Sequence, residues 1–152
     1  PGSYEWYEIQ DNIAYWEEFE RPKIVFPDIA KTPEFAYDLS NYFLGNTLYL
    51  LPSDEKWLLG LLNSKLLFWF YKNISSLIQG GFVRFIAQYI TQMPILTPTD
   101  TSQIDLIVSR IIERNNGDDN ADTSVLEKEI DWLVYRLYGL TEEEIRIVER
   151  AE

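Results

Sequence analysis

Apolar and polar positions change rhythm along this chain, and each rhythm predicts an element. Lys23-Ile24-Val25-Phe26, set between Pro22 and Pro27, reads as a short strand. Tyr42-Phe43-Leu44 and Thr47-Leu48-Tyr49-Leu50-Leu51 flank Gly45-Asn46, a turn signal that predicts a hairpin. Ser53 reads as an N-cap, with Asp54 and Glu55 in the first turn, where negative charge suits the helix dipole. The helix it opens is predicted over about 54–71. That helix is apolar almost all round (Trp57, Leu58, Leu59, Leu61, Leu62, Leu66, Leu67), so it should be the buried central helix. Gly80-Gly81 breaks the chain. Phe82, Arg84 and Ile86 then alternate with Val83, Phe85 and Ala87, which admits a strand or a short helix.

After Pro98 the pattern becomes helical, with Ile104, Ile107, Val108, Ile111 and Ile112 on one face. A polar loop from Asn115 to Asp122 follows. Ser124 with Glu127 forms a capping box ahead of an apolar face of Leu126, Ile130, Leu133, Val134 and Leu137, and Gly139 marks the stop. Thr141 with Glu144 forms a second box, and Leu140 is spaced to staple onto Ile145. The expected fold is α+β: small β-sheets around a long buried central helix, followed by a C-terminal helical segment. Three segments are expected: an acidic lead-in over 1–20, a core over 21–98 and a helical subdomain over 99–152.

Composition narrows the chemistry. The 152 residues are 46% hydrophobic and 15% aromatic, enough for one packed domain with a small helical appendage. There is no cysteine, so disulfides and thiolate metal sites are excluded. There is no histidine, which removes the commonest general base, the Ser-His-Asp arrangement and the usual zinc ligands. No signal peptide is visible, and the longest wholly apolar run, Leu66 to Tyr71, cannot span a bilayer. A cytoplasmic protein without a membrane partner is expected. The chain begins Pro-Gly-Ser and its one methionine is Met93, so it reads as a piece of a longer protein with a short cloning scar over 1–3.

Charge is unevenly spread. Net charge is -12, distributed as -6 over 1–20, -2 over 21–55, +4 over 56–99 and -8 over 100–152. From Lys56 to Thr99 the four cations Lys56, Lys65, Lys72 and Arg84 stand without any carboxylate. A polyanion would approach there with least repulsion.

Catalytic motifs are missing. There is no Pro-Pro for the loop with which adenine methyltransferases hold a flipped base, and no phosphate-cradling glycine loop. Phe26-Pro27-Asp28 resembles half of a nuclease motif, but no Glu-x-Lys or Asp-x-Lys follows. Asp118, Asp119 and Asp122 lack EF-hand spacing and read as a solvated loop. Asn63 and Ser64 fall in mid-helix, where they serve poorly, so a kink or a structural hydrogen bond is expected of them.

The polar run after the central helix is more suggestive. Lys72, Asn73, Ser75, Ser76, Gln79, Gly80, Gly81 and Arg84 bring cations, amides, hydroxyls and glycines into one loop. Arg and Lys can read guanine, Asn and Gln can read adenine, and glycines let the main chain approach phosphates. Lys23 and Lys31 are flanking candidates for phosphate contact. The same residues also suit an ordinary turn.

Five segments in order tip this balance. They are Arg21-Pro22-Lys23-Ile24-Val25-Phe26-Pro27-Asp28-Ile29, Asn46-Thr47-Leu48-Tyr49, Leu61-Leu62-Asn63-Ser64-Lys65-Leu66, Gly80-Gly81 with Arg84, and Tyr89-Ile90 leading to Met93-Pro94-Ile95. Together they resemble the TaqI-like C-terminal target-recognition domain of DNA adenine methyltransferases and of methyltransferase-fused (type IIG) restriction enzymes. The tail from Leu133 to Ile145 is similar to the closing helices of such enzymes. The resemblance implies a non-catalytic module that clamps duplex DNA opposite an N-terminal methyltransferase domain of the same polypeptide. S-adenosylmethionine is then expected in that domain, with no cofactor in this one. The acidity departs from what a self-sufficient DNA binder needs. A protein-interaction module using an aromatic face and acidic ends is the alternative.

Overall fold

The computed structural model describes residues 15–118 and 120–150. Most of the acidic lead-in, the scar and Asp119 of the acidic loop lie outside them. A 3-10 turn, Trp16–Glu20, precedes strand β1, Lys23–Pro27. Ile24 and Phe26 of β1 face inward, as the strand period requires. β1 is the middle strand of a first antiparallel sheet, between β3 (Ala36–Asp38) and β4 (Leu48–Leu51).

The expected hairpin does not form. Gly45-Asn46 does turn the chain, with Leu48 N–H donating to the Gly45 carbonyl at 3.2 Å. Yet β4 pairs with β1, Val25 opposite Leu50, and Tyr42-Phe43-Leu44 is not a strand. β1 has two edges to satisfy, and β4 fills one of them while β3 fills the other.

Asp28 alone separates β1 from β2, Ile29–Ala30, so one run of chain feeds both sheets. The second sheet is also antiparallel, in the order β2, β6 (Phe82–Arg84), β5 (Leu77–Ile78). Past β6 comes a short helix α3, Ala87–Ile90, so both options open for that stretch occur in succession.

The predicted central helix is two helices, α1 (Lys56–Leu62) and α2 (Lys65–Ile74). Asn63 and Ser64 make the break. The Asn63 amide donates to the carbonyls of Leu59 (3.1 Å) and Phe35 (2.9 Å), and its oxygen accepts the Phe35 N–H at 3.1 Å. Ser64 Oγ donates to the Leu61 carbonyl at 2.6 Å and caps α2 through Leu67 N–H at 3.4 Å. Such side chains compete with the helix for its own backbone. The entrance also shifts: Glu55 is the N-cap of α1, and Ser53 Oγ accepts from Glu55 N–H at 3.2 Å.

Helices α4 (Ser102–Gly117), α5 (Ser124–Leu137) and α6 (Glu142–Arg150) complete the fold. α4 crosses α1 at Gly60, where an added Cβ would stand 2.9 Å from Ile104 Cγ2. Ile104, Ile107 and Val108 are buried as expected. Thr123, one residue earlier than expected, is the N-cap of α5, and its hydroxyl donates to Glu127 Oε1 at 2.6 Å. Gly139 ends α5 with φ of 67°, and Leu140 N–H reaches back to the Tyr135 carbonyl at 3.0 Å. The Thr141–Glu144 box forms, with Thr141 N–H donating to Glu144 Oε2 at 2.7 Å and Glu144 N–H to Thr141 Oγ1 at 3.3 Å. One apolar cluster runs from Ile24 through Leu61, Leu67 and Tyr71 to Val134 and Val148, so the sheets and the late helices share a core. Within α5 the deepest side chains are Val134 and Tyr135; Leu137 is half-buried. The architecture is α+β. No helix among the described residues is long and apolar enough to cross a membrane.

Candidate nucleic-acid interface

The second sheet builds an exposed hairpin. β5 and β6 are joined by Gln79-Gly80-Gly81, with φ of 88° at Gly80 and 80° at Gly81. A Cβ at Gly81 would meet nothing within 4 Å, so the left-handed backbone, and not crowding, calls for glycine there. The register sets Ile29 opposite Arg84 and Ile78 opposite Phe82. With a side-chain period of two, Ile29, Ile78, Phe82 and Arg84 share one face, while Ala30 and Val83 turn into the core. Lys31 Nζ lies 4.9 Å over the centre of the Phe82 ring.

Arg84 is held in a defined geometry on this face. Its side chain is 53% exposed and is gripped by Asp28, Nε to Oδ1 at 3.1 Å and Nη2 to Oδ2 at 3.2 Å. Asp28 raises the Arg84 pKa further. Both backbones are tied. Asp28 N–H donates to the Thr47 carbonyl at 2.9 Å and its carbonyl accepts Phe85 N–H at 2.7 Å. The Arg84 carbonyl accepts the Tyr71 hydroxyl at 2.8 Å. Tyr71 is fully buried, its ring 4.8 Å from that of Phe85, and burial lifts its hydroxyl pKa to about 12.

The remaining sequence candidates divide. Gln79, Gly80 and Gly81 form the exposed tip. Asn73 is exposed, with its amide donating to the Trp69 carbonyl at 2.7 Å. Lys72 Nζ lies 4.9 Å over the Phe68 ring. Ser75 ends α2, and its hydroxyl is buried with no partner among the described residues. Ser76 Oγ stands 3.1 Å from the Tyr89 hydroxyl, so it braces α3. Lys23 needs correction. It is wholly buried, 2.7 Å from Asp38 Oδ2, and donates to the Phe19 carbonyl at 2.9 Å. An ammonium so enclosed cannot touch a phosphate. Burial pushes the Asp38 carboxyl up, but Lys23 and the Ser40 N–H outweigh it and hold it below the ordinary value.

The carboxylate-free window is likewise a property of the linear chain. Folding brings Asp28 to Arg84 and Glu149 to Lys65, the latter at 2.9 Å.

Sequence reasoning missed two carboxylates. Asp28 stood in a nuclease half-motif and in the first family-like segment, neither of which shows that it faces a guanidinium. Asp131 on α5 accepts Lys65 N–H at 2.8 Å and so caps α2 from across the core. Burial raises its pKa to about 6, against the pull of Lys65. It borders a cleft of about 250 Å³ with Lys65, Lys128, Trp132 and Glu149. Glu149 is itself held by Lys65 and by the Tyr135 hydroxyl at 2.8 Å. That cluster is occupied with holding α2, α5 and α6 together.

The family described as the TaqI-like C-terminal specificity domain matches residues 3–95. Those residues contain both sheets, α1, α2 and the hairpin. Over 146 residues, 89% of this chain, it is 27% identical to the type II methyltransferase M.BanIII of Aneurinibacillus aneurinilyticus. Over 149 residues, 91% of this chain, it is 29% identical to the type II methyltransferase M.PaeR7I of Pseudomonas aeruginosa. The chain spans about a quarter of these relatives, 24% of the first and 23% of the second.

Proposed function

The chain belongs to the family of TaqI-like C-terminal specificity domains, and we propose that it recognises a duplex DNA sequence on behalf of a larger DNA adenine methyltransferase or restriction-modification enzyme. One observation carries this reading beyond the family. The second sheet presents a glycine-tipped hairpin with a guanidinium held by Asp28, and with Lys31, on its outer face. Such a β-ribbon is of a size to enter a major groove. Lys31, Lys72, Asn73, Gln79, Gly80, Gly81 and Arg84 remain the contact set; Lys23 and the Ser75 hydroxyl are buried, and Ser76 is engaged by Tyr89.

The module carries no chemistry of its own in this reading. The methyl donor, S-adenosylmethionine, is assigned to an N-terminal methyltransferase domain of the same polypeptide. The residues here do not fit it, because the paired glycines stand at an open hairpin tip instead of at a strand-to-helix cradle. The exposed Leu39, Tyr42 and Phe43, between β3 and β4, favour a second role for the first sheet's margin, contact with another protein surface.

A selection from a randomised duplex library at low ionic strength tests the proposal. Net charge of -12 makes binding weak and steeply salt-dependent. Enrichment of one sequence is the expected result. Capture of all duplexes alike, or of none, overturns it. Incubation of the chain with DNA, methyl donor and magnesium should leave the DNA unmodified; turnover abolished by a point mutation in this chain would refute the non-catalytic part.

A further inference from the structure

We propose that Arg84 reads a guanine edge and that Asp28 is the positioning residue that aims it. The inference rests on the DNA-recognition reading above and adds which base is read and how. Asp28 engages Nε and Nη2 of the guanidinium. A guanidinium is planar and carries five N–H donors. Two are taken by the carboxylate. The remaining fork edge, Nη1 with the second Nη2 hydrogen, has no partner among the described residues. Guanine offers O6 and N7 side by side in the major groove, and that fork matches them in a bidentate pair.

Charge separates this role from phosphate anchoring. A phosphate anchor gains its affinity from net positive charge and counterion release. The Arg84–Asp28 pair has no net charge, and it would bring a carboxylate toward the DNA backbone. Its hydrogen-bond geometry is nevertheless sharper than that of a free arginine. Asp28 is 19% exposed, and its backbone is fixed on both sides by Thr47 and Phe85. The Arg84 carbonyl is fixed by buried Tyr71. The side chain is therefore ordered before DNA arrives, which lowers the entropy lost on binding. Lys31, on the same hairpin face, is the better-suited phosphate neighbour.

The experiment is the same library selection, run with the native chain, Arg84→Gln, Arg84→Lys, Asp28→Asn and Asp28→Glu, each checked for native circular dichroism. The native chain should enrich a site with guanine at one fixed position. Both Arg84 variants should reduce the preference at that position by about 5- to 150-fold and leave the other positions intact. Asp28→Asn should reduce the same preference while tightening binding to scrambled duplex, because a negative charge is lost. Asp28→Glu keeps the charge but displaces the carboxylate, so it should lower the preference without that gain; it also decides the matter if Asp28→Asn fails to fold. A site retained unchanged in the Arg84 variants, or uniform weakening on every duplex, overturns the inference and leaves the proposed function standing. If the native chain enriches no sequence, both fall together.

Discussion

Lys23 and Arg84 each sit at an end of a short strand, and each holds an aspartate from another part of the chain. Their surroundings are opposite. In the first sheet Lys23 is 0% and Asp38 10% exposed, and the ammonium also donates to a main-chain carbonyl. In the second sheet Arg84 is 53% exposed, and its pairing leaves donors for something else. A buried pair is intolerant of losing one partner, because the survivor is stranded in a poor solvent. An exposed pair contributes little to stability and is free to be used. The first sheet thus commits its ion pair to the fold, and the second presents one at its surface.

The comparison breaks most directly at Lys23. Lys23→Ala should cost about 3–5 kcal/mol in urea unfolding, since Asp38 is left without its cation. The folded fraction should keep its DNA preference. Lys23→Met with Asp38→Leu should recover much of the loss, as apolar replacement of a buried pair often does. Stability unchanged in Lys23→Ala would show that the two pairs are alike after all.

Asn63→Ala extends the structural side. It removes both hydrogen bonds to Phe35 and leaves those main-chain groups unmet at the junction of α1, α2 and the first sheet. About 1–3 kcal/mol should be lost, measured by the same unfolding curves. A smaller loss would mean that water replaces the amide.

Asp131 is an intermediate case, buried and capping a helix beside Lys65, whose charge only partly offsets the burial. Its pKa rises from 3.8 to about 6, chiefly through burial. The folded state therefore holds this proton more tightly than the unfolded state. Its stabilising contribution is full below about pH 4 and is lost as pH rises through about 6. Asp131→Asn keeps an oxygen for Lys65 N–H and has no such dependence. The melting temperature of the variant relative to the native chain should accordingly climb from about pH 4 to about pH 7. Asp38 and Glu149, whose values are lowered, act in the opposite sense and lose their contribution as pH falls. They are common to both proteins, so a flat difference curve would show that Asp131 does not titrate in this window.

The smallest effect on the fold is expected at Arg84. Arg84→Ala should leave the melting temperature where it was while removing base preference. A clear drop in melting temperature would move Arg84 into the same class as Lys23.

Much of the secondary structure was legible from local pattern. The strand from Lys23, the helical face through Ile104, Ile107 and Val108, the Thr141–Glu144 box and the stop at Gly139 all depend on residues within a few positions of one another. Asn63 and Ser64 announced a disturbance by being polar in an apolar helix. The pattern did not say that Phe35, 28 residues away, is what Asn63 holds.

The chain alone determined which stretches extend, coil or turn, because period, capping and glycine conformation act over one or two turns of backbone. It also determined the family, through short segments in fixed order. Tertiary structure decided the partners: β4 on β1 in place of a local hairpin, Asp131 on α2, Lys23 in the core, and Asp28 on Arg84 across 56 residues of sequence. Burial and charge pairing act through space, and a lysine and an arginine that look alike in a row of letters are separated only when folding sets one against the core and the other against solvent.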